Sequence, residues 1–180
     1  MNIHPLIVHF PIALLALYSL LEIVGRLPWC RMRRKDWFVP LKAFLLFVGF
    51  AAALVAIVTG GMAEDIVRGV NPRAFILDVH EPFAWATLLV YFVLAAAYLV
   101  RIFDENGWGD RIVGTNRFLA RLWNFKKRFW YAILNTALLP LLAFIGLVCL
   151  TITGGLGAAL VYGPNVDPFV SVIYHLFWAQ

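Results

Sequence analysis

Residues 4–25 read HPLIVHFPIALLALYSLLEIVG, and this run of aliphatic and aromatic residues carries a single acidic or basic residue, Glu22. About 20 predominantly apolar residues are enough for an α-helix to cross the hydrocarbon core of a bilayer. The run therefore predicts a first membrane-spanning helix. Its outer half contains two histidines, His4 and His9, each close to a proline.

The rest of the chain is also rich in apolar residues. Hydrophobic residues make up 63% of the 180 residues, and the mean hydropathy is +0.84, whereas soluble domains are closer to half apolar. This composition favours an integral membrane protein over a soluble, nucleic-acid-binding or disordered one. The N-terminus lacks the basic segment and small-residue cleavage site of a signal peptide, so we expect the first span to be retained.

Four apolar segments are each long enough to cross a bilayer as a helix. They cover approximately residues 5–25, 37–60, 80–103 and 129–161. The sequence therefore predicts an all-α fold, an integral membrane four-helix bundle. We expect residues 1–163 to form this transmembrane domain and residues 164–180 to form a tail on the outer surface.

The basic residues predict how the bundle is oriented. The segments after the first and third spans carry Arg26, Arg31, Arg33, Arg34 and Lys35, and Arg101, Arg111, Arg117, Arg121, Lys126, Lys127 and Arg128. The segment between the second and third spans has only Arg68 and Arg73. Because short cytoplasmic loops are enriched in Lys and Arg, both basic segments are predicted to be cytoplasmic. Both termini would then lie on the periplasmic side of a bacterial inner membrane.

Two shorter helices and one ion pair are also predicted. The inner segment 115–128 separates apolar and basic residues at helical spacing, which is typical of an amphipathic helix on the anionic inner leaflet. In the tail, Asp167 is a suitable N-cap and Pro168 a suitable first residue for a short helix on the outer surface. Glu22 and Lys42 lie at similar depth in neighbouring spans, and we expect them to pair because an isolated charge in hydrocarbon is costly.

Two short motifs recur in the two halves of the chain. The first and third spans begin with the tripeptides HFP at 9–11 and HEP at 80–82, and the second and fourth spans contain TGG at 59–61 and 153–155. The recurrence predicts two pseudo-symmetric helical hairpins related by an axis along the membrane normal. These halves would cover about residues 1–62 and 72–161. The glycines that would leave room for a flat ligand, or simply allow close helix packing, are Gly60, Gly61, Gly154 and Gly155.

All four histidines of the chain fall at the outer end in this topology. The repeat makes His9 and His80 equivalent, and facing helices of a bundle are a common place for side chains to hold a cofactor. We expect these two residues to be the axial ligands of a haem iron, since bis-histidine ligation suits electron transfer. No Cys-x-x-Cys-His motif occurs, so the haem would be non-covalent haem b.

His4 and His175 stand outside the repeat. His4 lies about 140° around a regular helix from His9, so both cannot face the same ligand. His4 and His175 are therefore a candidate second haem pair. The competing chemistry is a copper or zinc site that uses all four histidines, because imidazole serves those metals as well.

The opening HPLIVHFPIAL at 4–14 resembles a widespread bacterial family of four-helix membrane proteins of unknown function. His80 and the segment GGLGAALVY at 154–162 are also similar to that family. Its members are found joined to, or near, cytochrome and other redox modules, so the resemblance implies electron transfer. The longer tail that carries His175 and the extended inner loop depart from the family pattern.

Together these observations predict a membrane cytochrome b-like electron-transfer subunit that links a periplasmic redox partner to the quinone pool. It would be a non-catalytic electron-transfer or anchor subunit of a larger complex, with a quinone pocket at the outer interface near Trp85 and the tail. The alternatives are a cofactor-free structural anchor and a histidine-based copper- or zinc-binding membrane protein.

Overall fold

The computed structural model describes residues 4–27 and 30–178, and within those ranges it is all-helical, with no strand. The helices are α1 (His4–Gly25), α2 (Phe38–Val70), α3 (Leu77–Glu105), α4 (Trp108–Val113), α5 (Arg117–Asn135), α6 (Leu138–Tyr162) and α7 (Pro168–His175), with 3-10 turns at Arg31–Arg34 and Ala74–Ile76. The predicted all-α fold is confirmed. Four segments are long and apolar enough to cross a membrane, namely α1, α2, α6 and the continuous stretch Ala74–Glu105.

The predicted fourth span, residues 129–161, was wrong as a single helix. The chain instead forms α5 and α6, and the backbone is extended at Thr136 between them. The physical reason is Pro140, because a proline inside a helix has no N–H to donate and its ring clashes with the carbonyl four residues earlier, here that of Thr136. The second span is longer than predicted, since α2 continues past Gly60 to Val70.

The four long helices pack as a four-cornered bundle. α1 packs along α2 and α3 packs along α6, which makes two helical hairpins, and the hairpins meet through α1 with α6 and α2 with α3. α1 and α3 therefore stand at opposite corners, and they reach each other through side chains that cross the centre of the bundle. The internal repeat of the two hairpins stays a prediction.

We call the end of the bundle that carries the basic segments the inner end and the end that carries the histidines the outer end. A buried polar network lies in the inner half. Lys42 Nζ lies 2.8 Å from Glu22 Oε2, and both residues are buried, so the predicted pair is confirmed. The Tyr98 hydroxyl on α3 donates to the same carboxylate oxygen at 2.7 Å. Further out, the Tyr91 hydroxyl and Ser19 Oγ are hydrogen-bonded at 2.8 Å. These contacts tie α1 to α2 and to the opposite corner α3.

The predicted inner helix is confirmed as α5. The Asn116 side chain caps it by accepting from the backbone N–H groups of Phe118 and Leu119. Lys127 Nζ lies 2.8 Å from Asp104 Oδ1 at the end of α3, and this carboxylate raises the pKa of the Lys127 ammonium. The contact fixes α5 to the inner end of the third span.

The predicted tail helix is confirmed as α7. Pro168 is its first residue, and the Asp167 side chain accepts from the Val170 N–H at 2.9 Å. α7 folds back onto α6, where Ile173 packs directly on Gly155. The tail is thus held against the outer end of the bundle.

Candidate functional site

His80 has a buried ring nitrogen at the outer end of the bundle. Its Nδ1 atom is buried and makes no hydrogen bond of normal geometry with any of the described residues 4–27 and 30–178. The ring lies beside the backbone of Thr153 and against Gly157, where an added Cβ would lie 3.4 Å from Cε1. Leaving a buried polar atom unpaired costs about 1–3 kcal/mol, so an orphaned imidazole nitrogen needs an explanation.

His4 begins α1 and is oriented by α2. Its Nδ1 lies 3.1 Å from Thr59 Oγ1, and the Thr59 hydroxyl itself donates to the carbonyls of Val55 and Ala56. Because the Thr59 proton is directed to those carbonyls, its oxygen accepts from His4, and we assign the proton of the neutral imidazole to Nδ1. The lone pair is then on Nε2, which is the usual metal-binding state of histidine.

His4 and His80 lie at the same end of the bundle. The two imidazoles are near enough to interact electrostatically, although their helices occupy opposite corners. Each ring also lies on a glycine of the neighbouring helix. An added Cβ at Gly60 would be 3.1 Å from Cε1 of His4, as Gly157 is close to His80. We call this arrangement the His4–His80 pair.

His9 is placed differently from its predicted role. It is exposed on the outside of the bundle, and its Nδ1 donates to the carbonyl of Pro5 in its own helix at 2.6 Å. The histidine within electrostatic range of His80 is His4, and the predicted ligand role of His9 stays a prediction. The ring of His9 is directed along the surface of α1.

Side-chain contacts between the opposite helices α1 and α3 occur at two sequence separations. The Tyr98 hydroxyl contacts Glu22, and the Tyr91 hydroxyl contacts the Leu15 carbonyl, at a separation of 76 residues. The shorter Tyr91–Ser19 hydrogen bond joins residues 72 positions apart. His4 and His80 are also 76 residues apart. In two helices related by a two-fold axis, residues at equivalent positions come into contact only close to the axis. The predicted alignment of the two His-x-Pro motifs differs from the His4–His80 separation by five residues, which is more than one helical turn.

The angular position of His4 around α1 agrees with its pairing with His80. His4, Leu15 and Glu22 are separated by about three and two helical turns, so they share one face of α1. Their counterparts on α3, His80 included, have the same spacing. The pair could therefore have been predicted from the sequence by comparing which positions of α1 and α3 share one helix face. The tripeptide match was a weaker guide because it ignored which residues face the bundle centre.

The four predicted glycines have different surroundings. Gly60 borders His4, but Gly61 is exposed and has open space beside it. Gly154 faces Ile12, and Gly155 is in contact with Ile173 of α7. The glycine next to His80 is Gly157, which the sequence analysis missed. The sequence contained a signal for Gly157. Gly49 and Gly146, both buried, are separated by the same number of residues as Gly60 and Gly157.

His175 lies on α7 and interacts with its own helix. Its Nδ1 donates to the Ser171 carbonyl at 2.7 Å, and its ring meets Tyr174 edge-on. The tail also covers the outer end of the α3–α6 hairpin with aromatic rings. Phe177 packs on Phe83 with ring centroids 5.5 Å apart, and Trp178 packs similarly on Phe75. These ring contacts hold the tail on the third span and on the turn before it.

Trp85, near which a quinone pocket was expected, lines a shallow groove of about 230 Å³ between α2 and α3. The other lining residues are Phe50, Leu54, Leu88, Leu89 and Phe92. All of these side chains are apolar except for the indole N–H of Trp85. The quinone pocket stays a prediction.

The described residues contain no group of three or more His, Cys, Asp or Glu side chains placed to hold a metal ion. The His4–His80 pair supplies two imidazoles, which is the number of protein ligands in a bis-histidine haem site. The two rings lie directly on Gly60 and Gly157. Haem binding at this pair stays a prediction.

A known protein family matches most of this chain. A family described as "Predicted membrane protein (DUF2231)" matches residues 1–167. This chain belongs to the DUF2231 family. The match includes all four membrane-spanning helices and the His4–His80 pair, and it ends directly before α7. The predicted family resemblance is confirmed. No curated protein and no solved structure matches the chain.

Proposed function

We propose that this protein is a membrane-embedded electron-transfer subunit in which His4 and His80 are the axial ligands of haem b. The observation that carries the proposal is the buried Nδ1 of His80, which lies beside the Thr153 backbone without a hydrogen bond of normal geometry among the described residues, within electrostatic range of the His4 imidazole. In this proposal His4 replaces His9 as the partner of His80. Haem supplies one-electron chemistry when bound, and two histidine ligands leave the iron no open position for oxygen chemistry.

The residues around the pair have separate roles. The Thr59 hydroxyl orients His4 and keeps its Nε2 unprotonated, as an outer partner does for many metal-binding histidines. Gly60 and Gly157 keep side chains away from the two rings. The aromatic cover formed by Phe177 and Trp178 excludes water from the His80 side, and a low-dielectric shell of this kind helps to set the potential of an iron site.

The proposed setting of the subunit follows from the basic residues. The segments that carry most of the arginines and lysines lie at the end of the bundle opposite the His4–His80 pair. With the basic end in the cytoplasm, both termini and the pair are on the periplasmic side of a bacterial inner membrane. Electrons would then pass between a periplasmic redox partner and the quinone pool.

The test is an optical spectrum of the purified protein, with four single histidine variants. We expect a low-spin haem b spectrum in the wild type, and its loss in His4→Ala and in His80→Ala because each removes an axial ligand. His9→Ala and His175→Ala are the matched controls, and both should keep the spectrum because those rings are held by their own helices.

Two outcomes contradict the proposal. A wild-type sample with no Soret band after expression with ample haem would favour the cofactor-free anchor. Loss of the low-spin spectrum in His9→Ala, with His4→Ala unchanged, would restore the ligand pair expected from the tripeptide repeat. Thermal unfolding of every variant should be measured alongside, so that loss of haem is not confused with loss of the fold.

A further inference from the structure

A charged cavity opens at the inner end of the bundle, far from the histidines. It has a volume of about 610 Å³ and lies between the turn before α2, the first residues of α2 and the last turns of α3. We call it the inner cavity. It is lined by Arg34, Lys35, Asp36, Val39, Pro40, Ala43, Tyr98, Arg101, Ile102 and Glu105.

The mouth of the inner cavity has an excess of positive charge. Arg101 is paired with Glu105 one turn along α3, at 2.7 Å. Arg34 and Lys35 are exposed and form no ion pair with any side chain in the described part of the chain. Asp36 is the one remaining carboxylate of the lining. An anion that entered the mouth would meet two cations without carboxylate partners.

The deeper wall of the inner cavity is apolar. Val39, Pro40 and Ala43 of α2 face Ile102 of α3 across it. Tyr98 lies at its deep end, where its hydroxyl is already committed to Glu22. The cavity therefore joins a cationic mouth to a hydrocarbon-like wall, and it does so at the level where the spans leave the membrane on their basic side.

We propose that the inner cavity binds one anionic glycerophospholipid, whose phosphate is held by Arg34 and Lys35 and whose acyl chain lies along Val39 and Ala43. Basic pockets between the cytoplasmic ends of membrane helices are suited to lipid head groups. Charge-assisted hydrogen bonds from Arg and Lys to phosphate oxygens supply the polar contacts. A free phosphate ion would use the same two cations but would leave the apolar wall without a partner.

The test is native mass spectrometry of the detergent-purified protein with added phosphatidylglycerol or phosphatidylcholine. The wild type should retain one phosphatidylglycerol in preference to phosphatidylcholine. The Arg34→Gln/Lys35→Gln variant should bind it about 30-fold more weakly, since each cation near a lipid head group contributes roughly a fivefold factor. The matched control is Arg121→Gln/Lys126→Gln, which removes two exposed charges from α5 and should bind as the wild type does.

Three results would overturn the proposal. Equal retention of the two lipids would show that charge does not select the occupant. Equal weakening in both double variants would reduce the effect to the overall charge of the protein. Displacement of the lipid by millimolar inorganic phosphate would identify free phosphate as the ligand of the two cations. None of these readouts depends on haem, so the inference stands or falls separately from the proposed electron transfer.

Discussion

Glu22 and Lys42 show what ionisable side chains need inside an apolar bundle. The two charges neutralise each other, and Tyr98 satisfies a further lone pair of the carboxylate. Removing a charge from low-dielectric surroundings without its partner is costly, because the remaining ion cannot recover its lost hydration. The pair therefore constrains three helices at once, and its two members depend on each other.

We expect Glu22→Gln to destabilise the protein by about 3–5 kcal/mol, because Lys42 would be left buried without a counter-charge. The measurement is thermal unfolding in detergent, followed by circular dichroism. The Glu22→Gln/Lys42→Met double variant should recover most of the loss, because it removes the unpaired ion. Equal unfolding temperatures for the wild type and the single variant would show that water reaches Lys42 and that the pair is dispensable.

The same principle explains which residue contacts could be predicted from the sequence. A charge inside an apolar run has few permissible partners, so Glu22 and Lys42 could be paired from their depth alone. A histidine is neutral at pH 7 and can be satisfied by its own helix, as His9 is by Pro5. The cost of burial therefore did not determine which residue would be the partner of His80. It depended on the helical phase of His4, which a motif match does not measure.

At the level of whole helices, composition predicted the spans well and their boundaries less well. The apolar character of residues 129–161 continues through the junction between α5 and α6, so hydropathy alone gave one long helix. The backbone break at Thr136 is a local effect of Pro140 on the hydrogen-bond ladder. Hydropathy does not report on backbone donors, so it cannot show the break. The position of Pro140 in the sequence predicts a bend near Thr136, and the structure has a complete interruption of the helix there.

Gly155 is the contact point between α6 and α7, and it gives a prediction for the tail. An added Cβ there would overlap the Ile173 side chain. We expect Gly155→Ala to displace α7 at a cost of about 1–3 kcal/mol, the usual range for overpacking. Hydrogen exchange measured by mass spectrometry should then be faster in the backbone of residues 168–175.

Gly61→Ala is the matched control for this variant. Gly61 has open space where a Cβ would lie, so exchange in α7 should remain at the wild-type rate. If Gly155→Ala also left the exchange of α7 unchanged, the tail would be anchored by its aromatic contacts with Phe75 and Phe83 instead of by the contact between Ile173 and Gly155.

For the whole molecule, the orientation in the membrane can be tested with the native cysteines. Cys30 lies in the basic segment before α2, and Cys149 lies within α6. A membrane-impermeant thiol reagent should label Cys30 in inverted vesicles and not in intact cells, because positive segments are retained in the cytoplasm. Labelling of Cys30 in intact cells would reverse the proposed topology.

An outer-side control completes this test. Asn165 is exposed in the loop between α6 and α7, at the end opposite Cys30. The Cys30→Ser/Asn165→Cys variant should be labelled in intact cells. The two patterns together assign both ends of the bundle, so an unsealed preparation is recognised by labelling of both sites.

The depth of the His4–His80 pair has an electrical consequence. Thr59, which holds His4, is followed by eleven further residues of α2, and charged side chains begin about 7.5 Å beyond it, at Glu64. The pair thus lies close to the outer edge of the low-dielectric layer. Under the proposed function, an electron arriving from the outer side crosses little of the transmembrane voltage. An electron exchanged with the inner side crosses nearly all of it, at about 2.3 kcal/mol per 100 mV. A cell's membrane potential would therefore affect the inner electron exchange and leave the outer one almost unchanged.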